Sequence, residues 1–175
     1  MVWRFAGAAA AVGIVLATPI LSHAQPADYS AVRAMLSRGI DASRSDYAHI
    51  RTGAVDGYGF YALSPDFMAT CDRCGPLLSK YEDGGWSLGF HTSAVLSKSD
   101  LLAFITQNFS GAIPADFKFV GPLSDDGVLG PSSVIVYQWK GPATNVLSIS
   151  GDVGRPGGLR INFTINSNPT GAWRP

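Results

Sequence analysis

Strict alternation in Leu159-Arg-Ile-Asn-Phe-Thr-Ile-Asn166 constrains this chain more than any other stretch of it. Successive side chains of a strand point to opposite faces, so Leu159, Ile161, Phe163 and Ile165 share one face and Arg160, Asn162, Thr164 and Asn166 the other. The residues before it repeat the signal. Val134 to Lys140 and Val146 to Ser150 are strand candidates, with turn residues at Gly141-Pro-Ala-Thr144 and Gly151 to Gly158 between them. Residues 133–166 therefore read as a three-stranded meander, because short connections favour antiparallel neighbours. The apolar face of that meander needs a cover.

Two earlier segments with helical spacing, Asp28 to Arg51 and Ser97 to Ile113, supply it. Asp28 or Ser30 caps the first, and Val32, Met35, Leu36 and Ile40 form one apolar stripe. Gly39 weakens its middle, which predicts either a bent helix or a second short helix, capped by Ser45 and running from Asp46 to Arg51 with Tyr47 and Ile50 buried. In the other segment Ser97-Lys-Ser-Asp100 has the form of a capping box, followed by the stripe Leu101, Leu102, Ile105 and Phe109. Between the helices, Phe60 to Leu63 reads as a strand and Phe67 to Cys71 as resumed extended chain. Leu77 to Tyr81 and Trp86 to Thr92 flank Glu82-Asp-Gly-Gly85 as a hairpin. Phe117 to Val120 is a further strand, and Gly121 to Ser132 a loop containing Asp125 and Asp126. The expected fold is α+β: an antiparallel sheet of about 5–6 strands, ending in the C-terminal three-stranded meander, with two helical segments packed on one face.

The chain opens with an export signal. Met1 to Arg4 is a positive start, Phe5 to Leu21 an apolar run, and Ser22-His23-Ala24 puts small residues at both recognition positions before Gln25. Residues 1–24 are expected to be cleaved, 25–166 to form a single globular domain and 167–175 to be a polar tail. The destination is the periplasm or the exterior, with no membrane attachment after cleavage. Cleavage leaves 151 residues, enough for one hydrophobic core, with 12 basic and 13 acidic side chains. Such a balance offers no electrostatic footprint for nucleic acid.

Cys71 and Cys74 are the only cysteines. In an oxidising compartment a local disulfide is the plain reading of the pair. Catalytic thiol-disulfide exchange is the sharper one, with Arg73 as a nearby cation that lowers a thiol pKa. Redox motifs of this spacing open a helix, however, whereas Gly75-Pro76 leads into a hairpin. A zinc site built from Cys71, Cys74, His49 and His91 has the ligand count but not the tight histidine spacing such sites use. His91 ends a strand and faces away from Trp86, Leu88 and Phe90. No nucleophile elbow, phosphate-binding loop or calcium ladder is present. The triplets Asn108-Phe-Ser110 and Asn162-Phe-Thr164 fall on a helix end and a mid-strand, poor places for glycosylation.

Trp86, Phe90, Phe117, Phe119, Tyr137, Trp139 and Phe163 are core candidates that could also line an apolar pocket. Ile135-Val-Tyr-Gln-Trp139 carries bulk on both alternating sets, which predicts a strand covered on both faces, with another chain as one candidate cover. These features favour an exported, non-catalytic binding or accessory domain with no metal or other cofactor. Its expected partner is a protein or a small apolar ligand met through a sheet face or edge. The alternative is a thiol-disulfide redox protein using Cys71 and Cys74.

Overall fold

The computed structural model describes residues 28–55, 59–123, 135–142, 145–153 and 158–167. The expected signal segment, Asp125 and Asp126, and residues 168–175 of the expected tail lie outside them. Helix α1 spans Ser30–Ser43, α2 spans Pro65–Met68 and α3 spans Leu101–Phe109. The strands are β1 Arg51–Ala54, β2 Phe60–Leu63, β3 Leu77–Lys80, β4 Trp86–Ala94, β5 Lys118–Leu123, β6 Ile135–Lys140, β7 Val146–Val153 and β8 Leu159–Ser167. They form one sheet in the order β1-β2-β3-β4-β8-β7-β6-β5. All neighbours are antiparallel. Two four-stranded meanders thus meet at β4 and β8, and α3 carries the chain from the centre of the sheet to its far edge.

The β4–β8 pairing sets the core. Leu88 stands opposite Ile165 and Phe90 opposite Phe163, and β7 continues the same face with Leu147 beside Ile165 and Ile149 beside Phe163. All six are nearly or fully buried. At about 1.5–3 kcal/mol for each fully buried large apolar side chain, this central row holds the two meanders together. Phe90 and Phe163 stack with centroids 4.9 Å apart, and Phe109 of α3 meets Phe163 edge-on at 5.1 Å. From α1, Gly39 approaches the same row so closely that a Cβ there would lie 2.8 Å from Ile165 Cδ1 and 2.9 Å from Leu88 Cδ2. Both long helices therefore cover one face of the sheet.

The antiparallel α+β arrangement agrees with expectation, but the strand count does not: the described residues form eight strands, not about 5–6. One of them, β1, lies partly within the segment expected to be helical. After α1 the chain leaves helical geometry at Asp46 and Tyr47, whose φ values are +50° and +61°, so the expected helix from Asp46 to Arg51 does not form. The left-handed turn drops the Tyr47 side chain into the core, where its hydroxyl donates to the Ile165 carbonyl at 2.6 Å. Tyr47 and Ile50 are buried as expected. Nor does Gly39 split α1, which runs unbroken past it. The expected extended stretch after Phe67 is instead α2, because Pro65 suits a first helical position and the Ser64 side chain accepts the Phe67 N–H. At the start of α3, Ser97 Oγ bonds Asp100 Oδ2 at 2.6 Å, and a 3-10 turn at Lys98–Asp100 leads into the helix.

The second face of the sheet carries Ser87, His91, Ser93, Arg160, Asn162, Thr164 and Asn166. On β6, Tyr137 and Trp139 face the helices, and Gln138 on the opposite side is only 2 % exposed. The strand is covered on both faces at that point, although Val136, the bulky described residue of the second face, is only half-buried and Val134 lies outside the described residues.

Candidate functional site

From α2 the chain passes through Cys71-Asp-Arg-Cys-Gly-Pro76 into β3, and Cys71 and Cys74 are disulfide-bonded. Cys71 is 6 % and Cys74 1 % exposed, so the bond belongs to the core. No helix starts at the pair: Gly75, with φ +55°, turns the chain and Pro76 leads it into β3. The helix-terminus field that activates redox thiols is missing at this place, and burial opposes the approach of an attacking thiolate. What the bond holds is a corner. The His91 N–H donates to the Cys74 carbonyl at 2.9 Å, and a Cβ on Gly75 would lie 2.9 Å from His91 Cε1. A side chain there would be strained by the left-handed backbone and would push on the imidazole, so glycine suits the position on both grounds.

His91 sits on the second face, with Arg160 Nη2 at 3.1 Å from its Nδ1. A guanidinium can only donate, so Nδ1 accepts and the ring proton sits on Nε2. Burial, and then the Arg160 charge, lower the imidazole pKa and keep the ring neutral. His49, the other histidine weighed as a zinc ligand, lies exposed on the turn after α1, 3.1 Å from Ser45 Oγ. No group of three or more His, Cys, Asp and Glu able to hold a metal ion occurs among the described residues. The Asn108 side-chain amide is engaged within α3, donating to the Phe104 carbonyl at 2.9 Å.

The aromatic candidates divide by position in the sheet. Trp86, Phe90 and Phe163 are buried in the body of the domain, with Arg51 Cζ 4.4 Å above the Trp86 ring. Phe117, Phe119 and Trp139 instead line a groove of about 400 Å³ where α3 passes the outer strands of the second meander. Leu102, Ile105 and Thr106 form its helical wall. Beyond α3 a 3-10 turn at Ser110–Ala112 and the run Ile113, Pro114 and Ala115 close its end. Pro114 stands just past the helical segment, where proline cannot continue it.

The groove's aromatic floor is fixed from below and free above. Gly141 lets the Phe117 ring lie over the backbone, since a Cβ at Gly141 would overlap that ring. Phe119 and Trp139 tilt against each other with centroids 5.1 Å apart; Trp139 is 9 % exposed and Phe119 49 %. Among the described residues, Thr106 and Ser110 bring the side-chain hydroxyls of the lining, and Thr106 Oγ1 already donates to the Leu102 carbonyl at 2.9 Å. No titratable side chain lines the groove among the described residues. Its chemistry is that of an apolar receptor.

The sequence pointed to the aromatic members of this groove but missed Ile113, Pro114 and Ala115, which sit in a helix-ending stretch with no periodic signal. Leu102 carried a usable hint: it belongs to the apolar stripe of α3, yet it is half-buried while Leu101, Ile105 and Phe109 are buried. The juxtaposition of Arg160 with His91, 69 residues apart, had no sequence signal at all. In comparisons with known proteins the chain matches no family model, no curated protein and no solved structure.

Proposed function

We propose that this chain is an exported binding domain without catalytic chemistry of its own, which holds a small apolar ligand in the groove between α3 and the β5–β6 edge. The groove carries the reading. Its volume of about 400 Å³ falls within the range of small-ligand sites, and its lining is aliphatic and aromatic with two hydroxyls to orient a guest. Phe119 is the supporting detail, a large ring left about half exposed at the mouth, where an incoming ligand would cover it. Export follows from the signal-like first 24 residues and fits the oxidised cysteine pair. In this reading the disulfide is a staple of the corner between α2 and β3, and the domain acts alone or beside a partner protein.

The test is equilibrium binding of anilinonaphthalenesulfonate and of a neutral probe, naphthalene, to the mature protein. The expected result is saturable binding of both with one site, quenching of Trp139 emission, and a loss of affinity of at least about tenfold in Phe119→Ala. A Cys74→Ser variant should bind as the parent does. Binding that never saturates, or that is the same in Phe119→Ala, removes the groove from consideration. Loss of binding only in Cys74→Ser would point to the thiol pair instead.

A further inference from the structure

On the face of the sheet away from the helices lies a second concavity, of about 240 Å³, that the apolar-groove reading leaves unused. It is lined by Gly75, Leu77, Gly89, His91, Arg160, Asn162 and Thr164, with backbone of β4 and β8 as its floor. Its depth comes from two glycines. Gly89 removes a side chain from β4 between the positions of Ser87 and His91, and Gly75 brings the disulfide corner against the imidazole edge as a side wall.

Each polar side chain around it can donate, and Arg160 can only donate. Arg160 has no carboxylate partner among the described residues; the ion pairs there join Arg38 to Asp66 and Arg44 to Asp116. Asp152, its cross-strand neighbour on β7, is exposed and makes no ion pair with it. Arg160 leans instead onto neutral His91, an acceptor that satisfies one N–H and none of its charge. The His91 ring then offers Nε2–H, and the Asn162 amide and Thr164 hydroxyl add further donors, neither of them engaged by another described residue. The groups leave one positive charge, a planar fork and several neutral donors beside a space for a few heavy atoms.

We infer that this concavity is a binding site for a small carboxylate, held by the Arg160 guanidinium with hydrogen bonds from His91, Asn162 and Thr164. A guanidinium matches a carboxylate in planar, two-pronged geometry, and a single cation balances a single negative charge. A phosphate dianion asks for more: a second cation or free backbone N–H groups, which the paired strands do not provide. Leu77, 53 % exposed at the rim, is placed to meet an apolar substituent on the acid.

The experiment is titration of the full mature chain with sodium benzoate, benzamide and inorganic phosphate at fixed ionic strength, read by calorimetry and by the His91 ring resonances. Benzoate is expected to saturate and to shift those resonances, benzamide to bind at least about tenfold more weakly, and phosphate to bind more weakly than benzoate. Arg160→Gln is expected to weaken benzoate by about tenfold or more, Arg160→Lys to give an intermediate loss, and Asp152→Asn to leave binding intact or tighten it. Arg160 is exposed, so both of its variants are expected to fold, which circular dichroism checks. Equal binding of benzamide and benzoate, equal binding by parent and Arg160→Gln, phosphate tighter than benzoate, or no saturable binding each overturns the assignment. A benzoate shift that moves with Phe119→Ala rather than Arg160→Gln would place the acid in the apolar groove and likewise overturn it.

Discussion

Gly39 offers the most direct test of how α1 is seated on the sheet. Helix propensity alone says that Gly39→Ala should stabilise the protein by about 1 kcal/mol, because glycine is the costliest ordinary residue in a helix interior. Packing says the opposite. The new methyl would lie 2.8 Å from Ile165 Cδ1 and 2.9 Å from Leu88 Cδ2, and both side chains are fully buried, with little room to retreat. Overpacking of this kind costs about 1–3 kcal/mol, so the net expectation is a destabilisation of about 0–2 kcal/mol. The cycle with Ile165→Val separates the terms. That change deletes the Cδ1 atom that collides with the new methyl, and by itself costs about 0.5–1.5 kcal/mol. In the double variant the alanine methyl occupies the vacated space, so the double should be more stable than the sum of the singles by about 0.5–1.5 kcal/mol. Equilibrium urea unfolding of the four proteins, followed by tryptophan fluorescence and circular dichroism with the slope held common, measures this coupling. If Gly39→Ala gains its full propensity and the two changes add within about 0.3–0.5 kcal/mol, the close seating of α1 on β4 and β8 is refuted.

Tyr47→Phe removes the buried hydroxyl that bonds the Ile165 carbonyl, and should cost about 0.5–1.5 kcal/mol in the same assay with no change in ligand binding. For the cysteine pair, the double variant Cys71→Ala, Cys74→Ala should lose about 2 kcal/mol or less, since closing so short a loop removes little freedom from the unfolded chain. Alkylation of the parent under mild reductant should stay slow until denaturant is added; rapid alkylation in the folded state would bring thiol exchange forward. His91 has a folded pKa lowered from about 6.5 by burial first and by the Arg160 charge second. The unfolded chain therefore takes up a proton that the native ring refuses. The stability present above the unfolded pKa declines as pH falls below it towards the folded value, and then levels. His91→Gln should flatten that part of the stability profile, while an unchanged profile would count against a neutral native ring.

Local chemistry was legible wherever a short segment decides its own conformation. The alternation of β8 and the β3–β4 hairpin around Glu82-Asp-Gly-Gly85 each rest on contacts within a few residues, and each stands in the structure, whereas α3 begins at Leu101 after a 3-10 turn and Ser97 makes no capping bond to the backbone. The cysteine pair belongs here too, because three residues of separation let the two sulfurs meet whatever the rest of the fold does. Ser64-Pro65 carried the start of α2 in plain view, but four residues are too short a helix to show an apolar period. Alternation also says which side chains share a face, and so grouped Trp86 with Phe90 and Phe163 with Ile161 and Ile165. It says nothing about where along the sheet a strand lies. Phe90 and Phe163 became core because β4 and β8 are central, and Phe119 stayed half exposed because β5 is an edge.

That lateral order was decided only by the tertiary structure, and with it both candidate sites. The groove exists because α3 spans from the middle of the sheet to its far edge and ends beside β5 and β6, a path set by the meeting of the two meanders and not by any residue of the helix. The same pairing of β4 with β8 brings Arg160 to His91 and the disulfide corner to both. Tyr47 shows the reason at the scale of one residue. A left-handed turn is unfavourable for a bulky side chain taken alone, so the local sequence reads as helix; a buried ring and a hydrogen bond to a strand 118 residues away outweigh that preference. The sequence by itself determined faces, turns and the cysteine bond, since those energies are local. Strand order, the seating of the helices and the two concavities come from contacts between distant segments, whose balance no short stretch contains.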